Sequence, residues 1–245
     1  MPRRTSPIRK SDAEQEAVTP RPAKPTPARA RSTSPDDLAN LSLKACLIAR
    51  DAAFNVRDLL TNSSRMAFLA IKDCEKELDL IERHIDERLP AAITRVNENR
   101  ARQLLSSLKS TTDLERIGDL VMSVALRVQA RTSKIPASDA RQLVEMSTIL
   151  RDMLDLIHKG FSTLDLECAR TVLQMDKEID RICHALFQKH LAETVVQGDT
   201  SHFEILLMAQ ALERAGDHTT NLAEDLYSLV EGRSLRHALK KKASN

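Results

Sequence analysis

The string Leu114-Glu115-Arg116-Ile117-Gly118-Asp119 recurs, with five of its six residues unchanged, as Leu212-Glu213-Arg214-Ala215-Gly216-Asp217. The copies stand 98 positions apart, inside stretches whose apolar spacing is helical. Each sets two carboxylates four residues apart, roughly 40° apart around a helix of about 3.6 residues per turn. Each also puts a glycine beside the second acid, where alanine would favour the helix by about 1 kcal/mol. A residue that weakens a helix, used twice in one context, implies a close approach to the backbone at that point. A duplicated helical unit carrying a duplicated acidic site accounts for both observations.

A second match supports the duplication. Glu75-Lys76-Glu77-Leu78-Asp79 aligns with Asp176-Lys177-Glu178-Ile179-Asp180 at an offset of 101, close to the first. Apolar periodicity predicts six helices, at roughly 37–60, 63–88, 99–131, 136–159, 161–196 and 200–231. Ser34, Asp36 or Asp37 is expected to cap the first. Pro90 is expected to end the second, and residues 91–97 read as a loop or a continuation. Gly160 is expected to stop the fourth helix, Gly198 to follow the fifth and Gly232 to end the sixth. The predicted fold is all-α: two tandem antiparallel three-helix bundles, residues 36–133 and 134–232, related by a pseudo-twofold repeat.

Seven of the nine prolines fall in residues 1–35, together with eight basic and three acidic side chains. This head is expected to be disordered, having too little apolar surface to offset its ordering entropy. Removing its +5 from the chain's +2 leaves −3 for residues 36–245. A basic tail, 233–245, closes the chain. Both basic ends read as solubilising segments, and nucleic acid is not an expected partner: the chain has no tryptophan and one tyrosine, so it lacks a stacking platform for single strands. No apolar run approaches the roughly 18–20 residues of a membrane span. Cys46, Cys74, Cys168 and Cys183 show no metal-binding spacing and read as reduced, mostly buried thiols of a cytosolic protein.

The second and third helices of each half are sequential neighbours, so four carboxylates per half fall on adjoining helices. Glu75, Asp79, Glu115 and Asp119 form one set, and Asp176, Asp180, Glu213 and Asp217 the other. Clustered carboxylates suit Mg²⁺, Mn²⁺, Ca²⁺ or iron. The alternative is a solvated face on which Glu115 and Glu213 pair with nearby Arg or Lys. In the second half the polar stripe continues through Thr220, Asn221 and Glu224, where the first has Met122, Ser123 and Leu126. His218, beside Asp217, is a further candidate ligand; His84, His158, His184, His190, His202 and His237 lack partners at ligand spacing and read as surface or core residues. The chain has no glycine-rich phosphate loop, GxSxG elbow or HExxH. Glu115 and Glu213 are followed three positions on by glycine rather than by the histidine of a di-iron carboxylate centre.

The stretch 212–224, LERAGDHTTNLAE, resembles the acidic motif of the PhoU family, and 114–125, LERIGDLVMSVA, matches its first half before losing the Asn and the final Glu. The resemblance spans roughly residues 37–232. It implies a six-helix, often dimeric, cytoplasmic regulator without catalytic activity. It also implies a metal ion (Mg, Mn, Fe or Zn) held by Glu115, Asp119, Glu213 and Asp217, with Asp79, Asp180, Glu75 and Asp176 as weaker candidates. Asn221 and Glu224 would serve only the second half. The implied partners are a phosphate ABC transporter's nucleotide-binding subunit and a phosphate-sensing histidine kinase, with membrane association only through them. The competing readings are a carboxylate-bridged metal enzyme, oxidase or hydrolase, and a metal-free helical adaptor.

Overall fold

Apolar residues recurring every three or four positions bury one stripe along each of six helices. These are α1 (Pro35–Asn62), α2 (Arg65–Ile93), α3 (Glu98–Ala130), α4 (Ala137–Thr163), α5 (Leu166–Gln197) and α6 (Ser201–Glu231). The computed structural model describes residues 35–197 and 201–232, with side chains over 36–191 and 202–232. Ser34, Gly198, His237, the rest of the head and the 233–245 tail lie outside the described residues.

Short polar side chains start two of the helices. The Ser64 hydroxyl accepts the Ala67 N–H at the head of α2, and the Asn97 carbonyl oxygen accepts the Arg100 N–H at the head of α3. At the end of α6, Gly232 takes φ +69°, as expected of a glycine there.

Two expected stops differ. Pro90 does not end the second helix, which runs on to Ile93. Proline removes an N–H that would bond the Asp86 carbonyl, but Asp86 and Pro90 lie on the exposed face, where water can satisfy that oxygen. Gly160 does not stop the fourth helix either. It is buried, and a Cβ there would overlap Leu226 Cδ2 of α6 and stand 3.1 Å from Cys168 Cβ of α5. The glycine is a helix-crossing residue. α4 ends at Leu164 (φ 55°), whose N–H bonds the Gly160 carbonyl, so the fifth helix begins at Leu166 rather than near 161.

Each triplet packs as a bundle in which all three helices touch. The triplets join through α1 against α4 and α3 against α6. Exchanging 1 with 4, 2 with 5 and 3 with 6 leaves this contact pattern unchanged, which is the pseudo-twofold relation expected from the repeat. α1 presents Ala45, Ala49, Ala52 and Ala53 on its buried side, and α4 presents Met146, Leu150, Met153 and Leu154, all buried. α2 and α5 touch only their own bundles, which leaves the α2–α3 and α5–α6 seams on the outside. No helix among the described residues is long and apolar enough to cross a membrane. All four cysteines are free, three of them buried and Cys74 half-buried.

A charged cluster sits inside the second bundle. The Asp139 carboxylate of α4, fully buried, accepts from Lys189 Nζ (2.6 Å) and lies 3.2 Å from His190 Nε2, both on α5. His190 Nδ1 in turn lies 2.8 Å from His202 Nδ1 of α6. His190 is a buried core residue, as expected. Its contact with His202 is tertiary, across twelve residues and a helix connection, and no local spacing announces it.

Candidate metal centres

Glu75, Asp79 and Glu82 lie at i, i+4 and i+7 on α2, one stripe of a helix of about 3.6 residues per turn. α3 sets Glu115 and Asp119 against them. The seam closes because Gly118 lies between: a Cβ there would stand 2.6 Å from Leu78 Cδ1 of α2. Glu75, Asp79 and Asp119 each offer an oxygen, and these atoms all lie within 4.8 Å of one another. Glu115 is the most enclosed of the α3 acids, its side chain 13% exposed against 44% for Asp119. Its Oε2 is buried without a hydrogen bond, although Arg116 Nε stands 3.4 Å away.

The second half carries matching acids on the matching helices, but among the described residues only Glu75, Asp79 and Asp119 converge to within 4.8 Å. Asp176 and Asp180 of α5 face Glu213 and Asp217 of α6, close enough that each set shifts the titration of the other. Gly216 is the counterpart of Gly118, and a Cβ there would stand 2.8 Å from Asp176 Oδ1 and 3.3 Å from Ile179 Cδ1. Asp176 Oδ1 is likewise buried without a hydrogen-bond partner.

The electrostatics of the two seams agree. Burial, then the charges of Asp119 and Glu82, push Glu115 up to about 7 against the opposing pull of Arg116. Burial, then Asp180, Asp217 and Glu213, push Asp176 up to about 7. Glu75, Asp180 and Glu213 are also raised, in each case first by burial and then by a neighbouring carboxylate. Desolvated like charges disfavour one another's ionised form, and a cation placed among them reverses the penalty. Orphaned buried carboxylate oxygens, convergent acids on two helices and an all-oxygen donor set in the first seam fit a hard divalent ion. Among the described residues, Glu75, Asp79 and Asp119 come together closely enough to hold one.

The residue missed in the sequence is Glu82, which acts on Glu115. Its i+7 spacing from Glu75 was visible, but comparing the two halves hid it, because the equivalent position 101 residues on is Cys183. Cys183 stands beside Glu213 and Asp180, and burial and those charges push its thiol up to about 11.

Asn221 and Glu224 border α3 as well. Both line a cavity of about 700 Å³ between α3 and α6, together with Asp113, Lys109 and Asp225. The Asn221 amide donates to Asp113 Oδ1 (3.2 Å), and His218 Nδ1 lies 2.7 Å from the same oxygen. The polar stripe of α6 thus divides: Glu213 and Asp217 serve α5, whereas His218 and Asn221 fasten the two halves through Asp113. Packing of α6 on α3 as well as on its own bundle, which local sequence does not encode, is the cause.

Comparison with known proteins gives one consistent result. The family described as "PhoU domain" matches residues 43–128 and again residues 143–226. The phosphate-specific transport system accessory protein PhoU homolog of Rhizobium meliloti (strain 1021) is 32% identical over 187 residues, covering 74% of this chain and 78% of that protein. Two crystal structures share the fold: PhoU from Pseudomonas aeruginosa, with TM-score 0.72 and 23% identity over 81% of this chain and 97% of that one; and the phosphate transport system regulatory protein PhoU from Streptococcus pneumoniae, with TM-score 0.74 and 21% identity over 82% and 97%.

Proposed function

The chain belongs to the PhoU family, and from that premise we propose that it restrains phosphate uptake and the phosphate-starvation response, linking a phosphate ABC transporter to a sensor histidine kinase. The role in phosphate regulation follows from the family, and it is regulatory rather than catalytic. The transporter's nucleotide-binding subunit, the kinase, a homodimeric assembly and work in the cytoplasm at the membrane's inner face through those partners are the finer parts of the proposal.

The observation that carries the mechanism is the placement of two acidic seams on the outer edges of the molecule, each with a buried carboxylate oxygen lacking a hydrogen bond. A divalent ion bound there supplies positive charge that relieves repulsion between carboxylates. The protein's own residues do the rest. Glu75 and Asp79 on α2 meet Glu115 and Asp119 on α3, and Gly118 keeps the backbones close enough for them to converge. Asp176 and Asp180 meet Glu213 and Asp217 across Gly216 in the same way. Neutralising the acids fixes the angle of the outer helices α2 and α5, and the face so formed is the docking surface for the partners.

Affinity capture of the full chain from phosphate-replete and phosphate-starved cells tests this. The transporter subunit and the kinase are expected to be retained by the wild type and depleted with Glu213→Ala/Asp217→Ala. Retention unchanged by that substitution would remove the seam from the docking mechanism.

A further inference from the structure

A cavity of about 860 Å³ opens where the end of α1, the α3–α4 connection and the start of α4 meet. Four cations line it, Arg57, Arg131, Lys134 and Arg141, and no carboxylate does. This is a local reversal of sign, because residues 36–245 carry a net charge of −3. Arg57, Lys134 and Arg141 are exposed and make no ion pair among the described residues. Arg131 is turned along the connection, where its guanidinium donates to the Ser133 carbonyl (3.3 Å) and hydroxyl (3.2 Å). Two acids on the same helices are engaged elsewhere: Asp139 with Lys189 and His190, and Asp58 with the Asn62 amide.

Two further features make the cavity suited to an anion. Ala137, the first residue of α4, lines it, and the cap position before it is Pro136, whose side chain satisfies no N–H. The Asp139 N–H bonds the Pro136 carbonyl, which leaves the N–H groups of Ala137 and Ser138 and the positive end of the helix dipole to favour a negative group. The hydroxyls of Ser63, Thr132 and Ser133 add uncharged donors. Leu60, Val128, Ile135 and Val144 supply an apolar part of the lining.

The geometry points to a binding site for a polyphosphate chain bearing three to four negative charges, of the kind carried by a nucleoside triphosphate or by inorganic tripolyphosphate. The three exposed cations, Arg57, Lys134 and Arg141, match that charge, and the volume falls within the roughly 300–1,000 Å³ of small-molecule sites, far larger than a single phosphate ion requires. Guanidinium groups form paired, charge-assisted hydrogen bonds to phosphoryl oxygens, which is the recognition the two exposed arginines offer. The apolar lining gives an organic group a place beside the chain.

Calorimetric titration of the full chain tests this, with EDTA present and about 150 mM salt to suppress loose ion pairing. The titrants are ATP, sodium tripolyphosphate and orthophosphate. One site is expected for ATP and for tripolyphosphate, with Arg57→Ala/Arg141→Ala weakening both by at least about tenfold. Lys134→Ala, a single change on the exposed connection, is expected to weaken both less while leaving the circular dichroism unchanged. Arg236→Ala/Lys240→Ala in the basic tail is expected to stay within about twofold of the wild type. Tighter binding of ATP assigns the apolar lining to the nucleoside, and equal binding assigns the site to the phosphate chain alone. Absence of millimolar binding, affinities unchanged in both cavity variants, or orthophosphate binding as tightly as tripolyphosphate overturns the inference.

Discussion

A Cβ on Gly216 would stand 2.8 Å from Asp176 Oδ1, so α6 gives up a side chain where α5 points its most strongly perturbed carboxylate. The equivalent glycine, Gly118, faces Leu78 Cδ1 instead. The two alanine substitutions should therefore behave differently. Gly216→Ala gains about 1 kcal/mol of helix propensity and pushes away a carboxylate that can rotate. Its melting temperature is expected to stay within about 3 °C of the wild type, while metal affinity at the second seam falls by about tenfold. Gly118→Ala drives a methyl into the fully buried Leu78 and is expected to destabilise by about 1–2 kcal/mol. Thermal denaturation and metal titration of both variants distinguish the roles.

Proton linkage gives a second prediction, with a definite sign. Glu115 and Asp176 reach about 7 in the fold, whereas unfolding returns them to the ordinary range near about 4. Between those values the folded chain binds more protons than the unfolded one, so stability falls as pH rises through the window. Scanning calorimetry in EDTA is expected to show a lower melting temperature at pH 8 than at pH 5.5. Added Mn²⁺ is expected to narrow that gap. A metal-free protein more stable at pH 8 would contradict the desolvated-acid reading of both seams.

The buried Asp139 should matter to the fold rather than to metal. Asp139→Ala leaves His190 enclosed without its carboxylate, and Lys189, 37% exposed, can turn to water. The expected loss is about 2–3 kcal/mol, toward the lower end for a broken buried pair. Urea denaturation reads it, and metal content is expected not to change.

Helices α1, α3 and α6 were legible within two residues of their ends, because their apolar stripes are long and regular. Pro90 and Gly160 were misleading for one reason: both are local stop signals whose effect is decided by surroundings. Solvent rescues the first, and Leu226 and Cys168 demand the second. That acids of α2 and α3, and of α5 and α6, fall on adjoining helices was legible because the repeat marks them twice. Glu82 was not, since its counterpart is a cysteine. Nor was the turning of His218 and Asn221 toward Asp113, about a hundred residues away in sequence, which depends on how α6 is shared between α5 and α3.

Metal content of the purified full chain, measured by plasma mass spectrometry after dialysis, tests most directly whether these acids hold a cation. The wild type is expected to retain divalent metal, and Glu213→Ala/Asp217→Ala to lose the share bound by the α5–α6 seam. Equal metal per chain in the two proteins would contradict the assignment.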